Sequence, residues 1–154
     1  MLFSEDVYKF MFTALQEAEI SLENDEIPIG AVVVYKNRII GRGHNQVEML
    51  NDTTAHAEMI AITAASSYLK TKYLNQCDLY VTAEPCIMCS GAILLSRIKN
   101  LYFGTHEPKF GSAGSLYNLL DSNKYNHQVN VYSGIYENES KDLLQQFFKN
   151  KRSK

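Results

Sequence analysis

Residues 78–96 read DLYVTAEPCIMCSGAILLS, and within this stretch the pattern of a strand changes to that of a helix. Asp78 to Ala83 is a short apolar run, typical of a buried strand, whereas Cys86 to Ser96 has helical length and spacing. Pro85 suits the first helical position, because the N–H that it lacks would have no partner there. A strand that leads straight into a helix predicts an α/β architecture.

The rest of the chain continues this alternation of strands and helices. Before the stretch we predict an amphipathic helix from Phe3 to Ala18, a hairpin of two strands (Ile29 to Tyr35 and Arg38 to Gly43) and a helix from Ala55 to Leu69. After it we predict a strand from Asn100 to Gly104, a loop from Phe110 to Leu120 that leads to a short helical stretch, a strand from Val129 to Tyr132 and a helix from Ser140 to Lys151. The pattern indicates one domain over residues 1–154, with a five-stranded mixed sheet and helices on both faces.

Composition excludes several classes of protein. The 154 residues are 45% hydrophobic and 21% charged, and no apolar run approaches the roughly 18 residues of a membrane span. The first dozen residues contain Glu5 and Asp6 and lack a basic segment, which argues against a secretory signal. Three cysteines, two of them in a C-x-x-C, favour a reducing cytoplasm over a disulfide framework.

Charge is distributed unevenly along the chain. The net charge is −2, but residues 141–154 carry +4 and the other residues carry −6. A basic end on an acidic body indicates a localised anionic partner. The alternative is a solvated helix terminus, where basic side chains interact favourably with the helix dipole. Charge alone leaves both interpretations open.

Four residues have the types and spacing of a catalytic metal site. His56, Cys86 and Cys89 are ligands that zinc prefers, and three protein ligands leave one position of a tetrahedral ion for water. Cys86 and Cys89 are three residues apart and therefore share a helix face. His56 and Glu58 can serve one site only at a helix start, where residues 52–54 (Asp-Thr-Thr) supply capping side chains.

Glu58 separates a catalytic interpretation from a structural one. A carboxylate beside an activated water can accept its proton and pass it on. The alternative is a zinc site that only stabilises the fold. It requires a fourth ligand, for which the spare Cys and His residues are Cys77, His44, His106 and His127, and it gives no reason for Glu58.

The chain resembles bacterial tRNA adenosine deaminases of the TadA type, in the cytidine-deaminase-like superfamily. The arrangement H-x-E…P-C-x-x-C is shared by zinc-dependent nucleobase deaminases. The other matching segments are Pro28 to Val32, Gly43 to Asn45, Asp52 to Glu58, Leu79 to Cys86, Gly114 to Leu120, Asn126-His127 and Asp142 to Phe148. The Gly-Ser-Leu of residues 114–116 and the two phenylalanines followed by basic residues favour the tRNA branch.

The resemblance implies a three-layer α/β/α fold and a homodimer with one zinc ion per chain and no organic cofactor. It also implies conversion of the wobble adenosine of a tRNA anticodon to inosine. By position, His56, Cys86 and Cys89 would bind zinc and Glu58 would move protons. Asn45 would hydrogen-bond the target base, helped by the backbone N–H of Ala57.

The resemblance places further contacts with the anticodon stem-loop on a loop and on the basic tail. These contacts are assigned to Glu107, Phe148, Lys151 and Arg152. Aromatic rings next to cations suit RNA, because bases stack on rings while cations meet phosphates. Helical spacing predicts core packing for at least one of Phe147 and Phe148. Glu107 stands where the family usually has Asp, and Phe110 replaces a small or polar residue.

Two other functions use the same motifs. A deaminase of free bases or nucleosides would share the metal site, but it would not need a basic, aromatic tail. A non-catalytic RNA-binding subunit would retain zinc for folding, but it would not need Glu58. A free-base or nucleoside deaminase would not act on an anticodon stem-loop. A non-catalytic RNA-binding subunit would release no ammonia.

Overall fold

The computed structural model describes residues 2–121 and 123–153. In these residues the chain forms, in order, α1 (Glu5–Glu23), β1 (Gly30–Tyr35), β2 (Arg38–His44), α2 (Val47–Leu50), α3 (Ala57–Leu69), β3 (Cys77–Ala83), α4 (Ile87–Ser96), β4 (Asn100–Thr105), β5 (Asn130–Ser133) and α5 (Glu137–Arg152). None of the helices described has both the length and the apolar character that a bilayer span requires.

The five strands form one mixed sheet in the order β2-β1-β3-β4-β5. β1 pairs with β2 and β3 in antiparallel fashion, whereas β3, β4 and β5 run parallel. The two-residue break at Lys36 and Asn37 makes the predicted hairpin, and both residues adopt positive φ values. This is the backbone that a tight two-residue turn requires.

Helices cover both faces of the sheet and produce three layers. Alternation along β1 sends Ala31 and Val33 to one face, and Val32 and Val34 to the other. The first face packs against α3 and α4, and the second packs against α1, with α5 beside α1. Because both faces are buried, β1 is a continuous apolar run without the alternation of a half-exposed strand. The predicted mixed sheet with helices on both faces is confirmed.

Strand direction brings several segments to one end of the sheet. β3 and β4 are parallel, so Ala83 and Thr105 lie side by side, and the N–H of Glu84 donates to the carbonyl of Thr105 at 2.8 Å. β1 begins at the same end, where the N–H of Gly30 donates to Oγ1 of Thr82 at 3.2 Å. Ligands of α/β proteins commonly bind beyond the carboxyl ends of strands. This end of the sheet carries the candidate site.

The starts of two helices differ from the sequence prediction. Cys86 is the N-cap of α4, with extended backbone at φ −74° and ψ 178°, so Pro85 precedes the cap and is not the first helical residue. The cause is an isolated bridge between Cys86 and Gly111 that keeps this backbone extended. His56 is the N-cap of α3, one residue ahead of the predicted first turn, while Glu58 lies on that turn as expected.

The short helical stretch predicted after the loop at Phe110 is wrong. Residues 110–120 form the predicted loop, with turns and isolated bridges, but the described residues between it and β5, 121 and 123–129, contain no helix. The N–H groups of Ala113 and Ser115 donate to the buried carboxylate of Glu84, at 3.0 and 2.9 Å. These hydrogen bonds fix the course of the predicted loop.

Candidate active site

The three predicted metal ligands meet at two helix ends. His56 and Cys86 cap α3 and α4, so both side chains project ahead of their helices, and Cys89 lies one turn into α4. Nδ1 of His56 lies 3.6 Å from Sγ of Cys86 and 3.6 Å from Sγ of Cys89. The structure therefore brings together residues that are 30 and 33 positions apart in the chain.

These donors fit a tetrahedral metal ion. Bonds of about 2.0–2.1 Å to nitrogen and about 2.3 Å to sulfur, at tetrahedral angles, require nitrogen–sulfur separations of about 3.6 Å. The observed separations match that requirement. Within residues 2–121 and 123–153, no fourth Cys, His, Asp or Glu donor lies within 4.8 Å of all three. The protein thus leaves one ligand position for water or substrate.

The charge state of the ligands suits a divalent cation. A hydrogen bond from the thiol of Cys89, followed by one from His56, lowers the pKa of Cys86 to about 4. The same hydrogen bond and burial raise the pKa of Cys89, and the contact with Cys86 raises the pKa of His56. Opposite shifts in the two pKa values mean that Cys86 ionises more readily than Cys89. Cysteine binds metal as the thiolate, so metal binding displaces thiol protons and weakens as the pH falls.

Glu58 is a buried carboxyl group beside this donor set. Its residue is 4% exposed, and it interacts with the Cys89 thiol. Burial raises the pKa of Glu58 to about 7. A group with that pKa can both accept and donate a proton near neutral pH, which general acid–base catalysis requires.

Asn45 is held next to the start of α3. Its Oδ1 accepts a hydrogen bond from the N–H of Ala57 at 2.9 Å, and its carbonyl accepts one from Oγ of Ser21 at 2.9 Å. The Asn45 residue is 5% exposed. The Ala57 N–H, predicted to help hold the base, is thus engaged by Asn45. With Oδ1 occupied in this way, the Nδ2 group is the part of Asn45 that can donate to a ligand.

Two residues that the sequence analysis did not assign fix the segment after Asn45. The carboxylate of Glu26, 2% exposed, accepts from the N–H groups of Glu48 at 2.9 Å and Met49 at 2.8 Å. It thereby caps α2, a short helix that no local pattern predicted. Nδ1 of His44 lies 3.3 Å from Oε2 of Glu17, and its Nε2 bonds to Gln46, so the ring supports the segment.

Glu84 is a further site residue that sequence analysis missed. Its carboxylate anchors the loop of residues 106–116, which includes Glu107 and passes beside Cys86. Burial alone would raise the pKa of Glu84, but hydrogen bonds led by that from Ser115 outweigh burial and lower it. The only sequence signal for Glu84 was its place directly before Pro85 in the metal motif. That place does not reveal that N–H groups of residues 107–115 donate to its carboxylate.

The basic tail is partly tied to the body of the protein. Nζ of Lys151 lies 2.8 Å from Oδ2 of Asp25 and 5.6 Å from the centre of the Phe147 ring. Phe147 is buried at 7% exposure, whereas Phe148 is 44% exposed. The expectation that one of the two phenylalanines packs in the core is confirmed. Phe148 and Arg152 are exposed, as an RNA contact would require.

Comparison with known proteins extends the likeness beyond the metal motif. The sequence matches the family model of MafB19-like deaminases over residues 5–152. The tRNA-specific adenosine deaminase of Aquifex aeolicus is 47% identical over 94% of this chain and 95% of that protein.

Two solved structures share the fold. One, from a study of A-to-I editing by tRNA:A34 deaminases at the wobble position of transfer RNA, is 45% identical with a TM-score of 0.85, over 88% of this chain and 99% of that chain. A guanine deaminase from Bacillus subtilis is 34% identical with a TM-score of 0.63, over 80% of this chain and 82% of that chain. The predicted cytidine-deaminase-like fold is confirmed, and the chain belongs to the family of tRNA-specific adenosine deaminases.

Proposed function

We propose that this protein is a zinc-dependent enzyme that deaminates adenosine to inosine at the wobble position of a tRNA anticodon. The observation that carries this function is the open set of three donors with the buried Glu58 beside it. The identity of 47% with a tRNA-specific adenosine deaminase, over nearly the whole chain, supports the same function.

His56, Cys86 and Cys89 would hold the zinc ion. One imidazole and two thiolates are a ligand set used by zinc deaminases, and the donor separations fit its bond lengths. When bound, zinc lowers the pKa of water enough to supply a nucleophile near neutral pH. The positive ends of α3 and α4 point toward the same place and favour the thiolate form of the cysteines.

Glu58 would move the protons of the reaction. Its carboxylate takes a proton from the attacking water and delivers a proton to N1 of the adenine ring as C6 is attacked. It then takes the proton of the new C6 hydroxyl group and delivers it to the amino group, which leaves as ammonia while C6 becomes the carbonyl carbon of inosine. A pKa near 7 lets one carboxyl group perform each of these transfers at neutral pH.

Asn45 would orient the base through its Nδ2 group, since its Oδ1 is engaged by Ala57. The target base is unpaired in an anticodon loop, so less energy is needed to extrude it than in a duplex. Glu107 lies half-buried in the loop beside Cys86, which is consistent with a contact near the target nucleotide.

The end of α5 would bind the RNA backbone. Phe148 and Arg152 are exposed on it, and a ring next to a cation suits an unstacked base next to a phosphate. Lys151 would contribute after it exchanges its Asp25 partner for a phosphate.

The protein would act in the cytoplasm as a homodimer. α4 contains no charged residue, and its Ile87 and Leu95 are 60% and 80% exposed. A helix that is apolar on all sides is normally buried, so a second copy of the chain is the proposed cover. The thiols of the metal site require a reducing compartment.

Separate activity assays on RNA and on small molecules test which substrate the enzyme uses. The zinc-loaded protein is incubated with an anticodon stem-loop that carries adenosine at the wobble position, and separately with guanine, cytosine, adenosine and cytidine. We expect inosine in the stem-loop and no ammonia from the small molecules. Turnover of free guanine with an inert stem-loop would instead assign this chain the activity named for the Bacillus subtilis relative.

A further inference from the structure

Glu84 collects hydrogen-bond donors to an unusual degree for one side chain. Its carboxylate, 0% exposed, accepts from the N–H groups of Glu107, Ala113 and Ser115 at 3.0, 3.0 and 2.9 Å. The Ser115 hydroxyl donates to Oε1, and Nδ1 of His106 lies 3.2 Å from the same oxygen. Five polar groups from one loop, four of them N–H or O–H donors, therefore converge on this carboxylate.

The same loop is attached directly to the metal-ligand segment. The N–H of Ser112 donates to the carbonyl of Pro85 at 2.8 Å, and Gly111 pairs with Cys86 in an isolated bridge. Glu84, Pro85 and Cys86 are consecutive. The loop of residues 106–116 is thus fastened to both sides of Pro85, next to a metal ligand.

The site requires a carboxylate rather than a side chain of the same shape. An ionised carboxylate only accepts hydrogen bonds, and four of the five partners are N–H or O–H donors, while Nδ1 of His106 can donate in one of its tautomers. Glutamine would replace one oxygen with an NH₂ group that faces other N–H groups. Space is equally restricted, because a Cβ at Gly111 would lie 2.3 Å from Cδ of Glu84.

We propose that Glu84 is a positioning residue for substrate binding, which holds the loop of residues 106–116 as a preformed wall of the substrate pocket beside Cys86. The inference rests on the proposed function, because the pocket is that of the deaminase. With the anchor in place, Glu107 and its neighbours are already ordered when the nucleotide binds. Without the anchor, substrate binding must also order the loop, and this free-energy cost raises KM.

The test compares E84Q with D78N in the zinc-loaded protein. Asp78 lies at the other end of β3 and accepts one hydrogen bond, from Asn100 at 2.7 Å, so D78N is a matched loss of charge outside the site. We expect E84Q to raise KM for the stem-loop about 10-fold or more while kcat stays within about 3-fold and zinc content is unchanged. A purely structural role would lower the active fraction, and hence kcat, without raising KM.

G111A is the second variant, in case E84Q does not fold. It keeps Glu84 but pushes the loop off the carboxylate, and it should raise KM in the same way. KM values equal to wild type in E84Q and G111A, with zinc bound, would overturn the inference.

Amide hydrogen exchange separates this inference from the proposed function. In the free protein, E84Q should speed exchange at Ala113 and Ser115, whereas D78N should not. If the wild-type protein fails to deaminate the stem-loop, the proposed function is wrong, and exchange then decides the role of Glu84 alone. Faster exchange supports the anchor, and unchanged exchange overturns it.

Discussion

The backbone N–H of Ala57 donates a hydrogen bond to Oδ1 of Asn45 at 2.9 Å, which joins the segment after β2 to the first turn of α3. Ala57 stands in the chain between the candidate metal ligand His56 and the catalytic candidate Glu58, so the contact attaches the amide of Asn45 to the residue between them. It also leaves the Nδ2 group of Asn45 to act as a donor. The position of the amide proposed to bind the base is therefore set by the same helix start that carries His56.

Substitutions of Asn45 separate these two roles. N45D keeps an acceptor for the Ala57 N–H but loses the donor, so we expect a loss of about 10- to 100-fold in kcat/KM with little change in stability. N45A loses both, and it should in addition lower the free energy of unfolding by about 1–3 kcal/mol, because the Ala57 N–H is left unpaired. Steady-state kinetics and urea unfolding measure the two effects. Wild-type kcat/KM in N45D would show that Asn45 does not hold the base.

Burial of Glu58 makes the stability of the metal-free protein depend on pH. The folded-state pKa of about 7 lies above the ordinary value of 4.5, so the stability contribution is fully present below pH 4.5 and is lost as the pH rises through 7. The shift corresponds to a loss on the order of 3 kcal/mol. E58Q cannot ionise, and the metal-free variant should exceed wild type by this amount at pH 8 but not at pH 4.5. Urea unfolding at the two pH values, with chelator present, measures the difference, and an equal difference at both would contradict the burial of an ionisable Glu58.

The tail prediction concerns the salt dependence of RNA binding. Each cation that meets a phosphate adds about one to the slope of log affinity against log salt. R152Q should reduce this slope by about one, whereas K151Q should reduce it less, because Lys151 already pairs with Asp25 in the free protein. K72Q is the control, since Lys72 lies between α3 and β3, at the opposite end of β3 from Cys86. Equal slopes for R152Q and K72Q would return the tail to the interpretation of a solvated helix terminus.

Local sequence patterns predicted the parts of the fold that depend on neighbours along the chain. The strand and the helix predicted within residues 78–96 are both present. The hairpin at Lys36 and Asn37 and the first helix are also present as predicted. The three metal ligands were also predicted, because thiols and an imidazole at these spacings have few other uses. The position of Glu58 beside these donors could also be predicted, because two residues as close in sequence as His56 and Glu58 can face one site only at a helix start.

The parts that sequence patterns did not predict depend on distant partners. α2 is capped by Glu26, which lies 22 residues before Glu48, and the loop of residues 106–116 is anchored by Glu84, which accepts hydrogen bonds from its N–H groups. A buried carboxylate that caps a distant segment leaves no periodic signal at either end. The pairing of Lys151 with Asp25, across 126 residues, is hidden from sequence patterns for the same reason.

The most direct test of the proposed chemistry is the mass of an anticodon stem-loop, with adenosine at the wobble position, after incubation with zinc-loaded protein. Wild type should replace one amino group with oxygen in each strand and release one ammonia molecule. E58Q should bind the same amount of zinc but lose turnover by about 10²–10⁴-fold, because the proton transfers have no carrier. No product from the zinc-loaded wild type, or equal product from E58Q, would contradict the convergence of metal and carboxylate on one reacting base.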